Sequence, residues 1–143
     1  MSRPTHVTVS QDAGYRFVQR GIEGPVVMLN LLRFRETADY SEAPHLAPDA
    51  PLSGREAYER YIAHTLPFLE TAGSEVLFNG EADAFLIGPQ DERWDRALLV
   101  RHRSVPEFLA FAQNEDYLHI AGHRTAALED SRLLPLIENR FGE

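Results

Sequence analysis

Six histidines, five tyrosines and no cysteine define what this chain could do as chemistry. Imidazole is the side chain whose unperturbed proton affinity lies near neutrality, so each histidine is a candidate acid or base. His64 stands on a helical stretch beside Tyr61, one turn before Pro67, whose missing amide frees a backbone carbonyl. It either donates to such a carbonyl or, near two tyrosines, is the leading general-base candidate. His102 alternates with Leu98 and Val100, which puts it on a buried-type strand face as a satisfied core histidine or a second proton carrier. His119 and His123 are four apart, a spacing that can place two imidazoles on one metal. No H-E-x-x-H accompanies them and no third ligand can be named. Helical phase also turns both away from the face of Tyr117, Ile120 and Arg124. Neither a metal nor a cofactor is expected.

A second set of residues could hold a ligand rather than react with it. In PVVMLNLLRFR, residues 26–32 read as a buried strand, yet Asn30 sits in the middle and Arg33 and Arg35 follow. A side-chain amide left unpaired in a core costs roughly 1–3 kcal/mol. Asn30 therefore ties a neighbouring backbone or lines a pocket. Arg33 is either a solubilising strand end or a partner for a carboxylate at a pocket rim. Tyr61, Tyr117 and Arg124 belong to inward faces, where a buried hydroxyl needs a partner. Trp94 opens a strand and either walls the pocket or caps the core.

Composition removes several classes of function. The 14 Lys+Arg against 22 Asp+Glu give a formal charge of −8, the wrong sign for a nucleic-acid or anionic-membrane partner. No apolar run reaches the about 18 residues of a membrane span, and MSRPTHVTVS lacks a signal-peptide core, so a cytoplasmic location is the expectation. There is no Gly-rich phosphate loop and no G-x-S-x-G elbow, which disfavours nucleotide, phosphoryl and serine-hydrolase chemistry.

The elements that must position these residues follow from periodicity and punctuation. A short helix is expected over 10–20, closed by Gly21, then a strand over 26–34 and a proline-containing surface loop over 36–52. Ser53 and Glu56 form a capping box that opens a helix to about Ala72, which Pro67 should kink or divide. A strand over 75–87, bent at Gly80, and a strand over 96–103 follow. Ser104 and Glu107 start another helix, a further helical stretch covers 117–128, and 131–139 forms a last strand whose Pro135 requires an edge. The whole of 1–143 reads as one domain, with 1–24 as an N-terminal helical extension. The order is the split β-α-β of a ferredoxin-like α+β fold with an antiparallel sheet. Its two helices cover one sheet face. The strands are apolar on both faces, so a second copy is expected on the other, giving a homodimer.

PVVMLNLLRFR, GSEVLFNG, the W-D-x-x-L-L-V strand and HRTAALEDSRL together resemble the DUF1330 family, in the same order over about residues 25–134. The resemblance implies a dimeric α/β barrel, with sheets facing each other across a two-fold axis and enclosing a pocket. It implies no reaction. Where the family usually closes its third strand with Tyr-Pro-Ser, this chain has His102, Arg103 and Ser104. The combined expectation is a homodimer binding a small, partly apolar organic molecule between sheet and helices. Asn30, Arg33, Tyr61, His64, Trp94, Tyr117 and Arg124 are its candidate ligand contacts. Any catalysis would be cofactor-free acid–base chemistry through His64 or His102. The alternative is a non-catalytic binding or stress-associated module.

Overall fold

Side-chain alternation along the first strand decides the architecture. In β1 (Val26–Phe34), the even positions Val26, Met28, Leu32 and Phe34 lie in two hydrophobic clusters, whereas Leu29 and Leu31 are only half-buried. One face of the sheet therefore meets helices and the other does not. The structure is a computed structural model and describes residues 4–139. Its helices are α1 (Gln11–Gln19), α2 (Gly54–Thr71), α3 (Val105–Ala112), α4 (Glu115–Ile120) and α5 (Gly122–Ala127). The remaining strands are β2 (Glu75–Glu81), β3 (Arg96–His102) and β4 (Leu128–Leu136). The sheet order is β2-β3-β1-β4 with every pair antiparallel, which is the ferredoxin-like topology.

The larger cluster joins Leu32, Phe34 and Leu98 of the sheet to Ala57, Tyr58 and Tyr61 of α2 and to Tyr117 and Ala126. The smaller one sits at the other end of β1, where Val26 and Met28 meet Val105, and Phe17 of α1 stacks edge-on to Phe108 at 5.9 Å. Ser53 and Glu56 close a reciprocal capping box on α2, and Gly73 ends the helix with φ at 70°. At α3, Ser104 accepts from the Glu107 amide, which is half of the expected box. Pro135 lies on the edge strand β4, where a missing donor is tolerated.

Three expectations are corrected, and one alternative is decided. Pro67 does not divide α2, which runs unbroken through it. Ala63 and Pro67 are both exposed, so water can serve the carbonyl that the ring deprives. The strand expected over 75–87 stops at Glu81, leaving an isolated bridge between Ala84 and Arg93, and its irregularity falls between Val76 and Phe78 rather than at Gly80. The last strand starts earlier, at Leu128. Finally, the helical stretch 117–128 is two short helices meeting at Ala121. Next to the break, a Cβ at Gly122 would lie 2.5 Å from the Ala43 side chain, so the loop after β1 packs directly on the backbone there.

Candidate functional site

That break reorganises the histidines. His119 stays exposed on α4, whereas His123 on α5 is only 4% exposed, which overturns the expectation that both point away from the interior. The loop after β1 meets both histidines, His45 against His119 and Tyr40 against His123, but buries only the second. The loop that Gly122 admits delivers Tyr40, whose hydroxyl hydrogen-bonds His123 Nδ1 at 2.7 Å. On the outer side the exposed ring of His64 stacks parallel on His123, with 5.5 Å between centroids and 4° between planes. Burial is the main cause that lowers the His123 pKa, and the charges of His64, Arg60 and His45 add to it. Burial likewise raises the Tyr40 pKa, partly offset by Arg60. A neutral imidazole thus meets a neutral phenol, with a second imidazole stacked on the first. The Tyr40–His123 hydrogen bond is the one along which a proton could move. His45 lies against His119, with Nε2 2.9 Å from its carbonyl oxygen. Among the described residues, no three His, Asp or Glu side chains converge as a metal ligand set.

One turn before His64 on α2, Tyr61 shares a 2.6 Å hydroxyl–hydroxyl bond with Tyr117 of α4. Both are buried, as is Tyr58, whose ring centre is 5.3 Å from that of Tyr61. Burial drives the Tyr58 and Tyr117 phenols well above their usual range, and the neighbouring Tyr61 adds to it. Arg124 of α5 acts on both phenols in the opposite direction. Its guanidinium donates to the Val7 carbonyl at 2.6 Å and to Ser131 Oγ at 3.4 Å.

The other candidates lie apart from this group. His102, at the far end of β3, is 3% exposed, bonds Ser74 Oγ through Nδ1 at 2.7 Å, and is walled by Phe108 and Phe111. Burial pushes its pKa down to about 4. His64 and His102 therefore do not form one site. The Asn30 amide donates to the Met28 carbonyl of its own strand at 3.3 Å, so its partner is local backbone. Trp94 is 1% exposed, and the Arg33 and Arg132 guanidiniums lie 5.2 and 4.9 Å from its ring centre. Asp130 joins the two arginines, accepting from Arg33 at 3.1 Å and Arg132 at 2.7 Å. Arg33 thus does pair a carboxylate, but one of this chain. A cleft of about 320 Å³ between the end of α2 and α3 is lined by Phe68, Thr71, Arg103, Glu107 and Phe111, none of them candidates from the sequence.

Sequence reasoning missed Tyr40, because it falls in a loop without periodicity, and missed Ser131 and Asp130. The available signal was Gly122 beside His123: a glycine inside a helical pattern marks a close approach of another segment.

A family model described as a domain of unknown function, DUF1330, matches residues 49–137. The crystal structure of methylated RPA0582 protein is similar, with 34% identity and a TM-score of 0.86 over 97% of this chain and 98% of that one. A second structure of RPA0582, described as a protein of unknown function from Rhodopseudomonas palustris, gives 34% identity and a TM-score of 0.85 over 96% and 99%. No curated protein matches the chain. Among the described residues, no helix is long and apolar enough to cross a membrane.

Proposed function

The chain belongs to the DUF1330 family, and from that premise we propose a homodimer in which each copy binds a small, partly apolar organic molecule between sheet and helices, with cofactor-free proton transfer as its chemistry. The observation that carries the ligand reading is the Tyr40–His123 pair with His64 stacked outside it. In this reading the pair is an acid–base couple just below the surface, one helical turn from the Tyr61–Tyr117 pair. His123 then carries the proton, the exposed His64 ring covers it, and His102 is a structural group. The pairing of two copies is supported by the helix-free sheet face, where Leu29, Leu31 and Leu99 are only half-buried and Leu134 is exposed.

Imidazole-labelled protein titrated with a set of small aromatic and aliphatic molecules tests the site. Binding should move the His64 and His123 resonances and leave His102 still. A set that moves none of the three, at millimolar concentration, rejects the reading. Sedimentation at micromolar concentration should give about twice the 16.2 kDa chain mass, and a monomer there refutes the pairing. The second reading, a non-catalytic module, is favoured by a different fact: Tyr61, Tyr117, His102 and Arg124 each already have a partner within the protein. Ligand binding without turnover of any bound molecule would select it.

A further inference from the structure

Of the described arginines, four are buried or half-buried: Arg33, Arg96, Arg124 and Arg132. Three of them have carboxylates. Arg33 and Arg132 share Asp130, and Arg96 pairs Glu59 at 2.8 Å. Arg124 has none among the described residues, in a chain carrying 22 acidic side chains. Among the described residues its donors meet neutral oxygens, the Val7 carbonyl and Ser131 Oγ. A guanidinium that has lost part of its water gains more from an anion than from neutral acceptors, and its planar fork suits two carboxylate oxygens. Asp130, next to Ser131 in the chain, is already shared by two other arginines and leaves this charge uncompensated.

What now covers Arg124 has the outline of a ligand. Val7 is packed against the main hydrophobic cluster, while its carbonyl sits on Arg124. Beside it Ser131 Oγ donates to the His6 carbonyl at 2.6 Å, and the His6 amide donates to Asp130 at 2.8 Å. The segment thus presents one branched aliphatic group to the core and two oxygens to Arg124 and Ser131. The valine skeleton without its nitrogen is 3-methylbutanoate, whose second carboxylate oxygen can take the hydrogen bond that Ser131 now gives to His6.

We propose that residues 6 and 7 occupy a carboxylate-binding site as a built-in strap, and that the ligand is a small carboxylic acid with a branched or aromatic body, held by Arg124 and Ser131 when the strap is displaced. The inference rests on the small-molecule reading above and names the class of molecule.

The test uses the full chain, titrated with 3-methylbutanoate and with neutral 3-methylbutanamide, while NMR follows the His6 amide. The acid should bind at least about tenfold more tightly than the amide, the ratio expected for one charge-assisted bond. Its binding should speed hydrogen exchange at the His6 amide. Arg124→Gln should abolish the preference for the acid. Val7→Gly should strengthen acid binding, because it weakens the competitor, whereas a purely structural latch gives unchanged or weaker binding. Equal affinity for acid and amide, or no binding of either, overturns the carboxylate assignment. Acid binding with unchanged His6 exchange overturns the strap. The proposed function itself fails only if the wider set of molecules also leaves His64 and His123 unmoved.

Discussion

His102 and His123 are both buried, and each bonds a hydroxyl through Nδ1 at 2.7 Å, yet their surroundings differ in kind. His102 is enclosed by Phe108 and Phe111, and burial alone lowers its pKa. His123 is lowered by burial and then by the charges of His64, Arg60 and His45. The first is set by packing. The second is tuned by groups at the surface, one of which lies flat against it. Equal burial and equal hydrogen bonding do not make equal chemistry; what stands behind the ring decides.

The largest effect that separates the two is acid sensitivity. The His102 pKa falls from about 6.5 for an unperturbed imidazole to about 4 in the fold, so the unfolded chain binds its proton first as pH drops. Its contribution is complete above about pH 6.5, is lost progressively down to pH 4, and changes no further below that. The difference amounts to about 3 kcal/mol. Denaturant melts of the wild type and His102→Gln should therefore approach each other between pH 7 and pH 4.5. A constant gap between them across that range would refute the burial account.

Removing the hydroxyl partners gives a smaller contrast. Tyr40→Phe and Ser74→Ala each leave a buried Nδ1 without its partner, at a cost of roughly 1–3 kcal/mol. In the packed His102 site the loss should appear in melting temperature alone. In the His123 site it should also release the loop that Gly122 holds close, so proteolysis within 40–47 should accelerate for Tyr40→Phe and not for Ser74→Ala. Equal proteolysis of the two variants would count against the loop's dependence on that bond.

The contrast between the histidines also marks how far the sequence could be read. His102 was legible as a core residue because alternation with Leu98 and Val100 is a local pattern, and a strand preserves it. The ferredoxin-like order was legible for the same reason, since each element announces itself by period, cap or glycine. The capping box at Ser53 and the edge position of Pro135 are of this local kind. His123 was misplaced because its environment depends on a loop arriving from 83 residues away. No periodicity in residues 36–52 indicates where that loop lands. Asn30 illustrates a third case: the sequence posed the question of its partner, and the partner is the Met28 carbonyl two residues back. Arg124 was assigned to an inward face, but its missing carboxylate is visible only once the other arginines have found theirs.

The smallest expected effect is the most direct test of the comparison. His64 lies flat on His123, and its positive form repels a proton from the ring beneath. Replacing it by Gln removes that charge and keeps a polar side chain at an exposed position, so stability should change by less than about 0.5 kcal/mol. The His123 pKa should rise, because one of the influences lowering it has gone while burial remains. His102 should be unaffected, since burial alone accounts for its shift. Imidazole chemical shifts followed through a pH titration report both rings in one experiment. Salt offers an independent check on cause. Raising ionic strength screens charges near the surface and leaves desolvation untouched. Added salt should therefore move the wild-type His123 pKa upward, move it less in His64→Gln, and leave His102 where it was. If His64→Gln leaves the His123 titration unchanged at low salt, the charge of the stacked ring is not among the causes of the His123 shift.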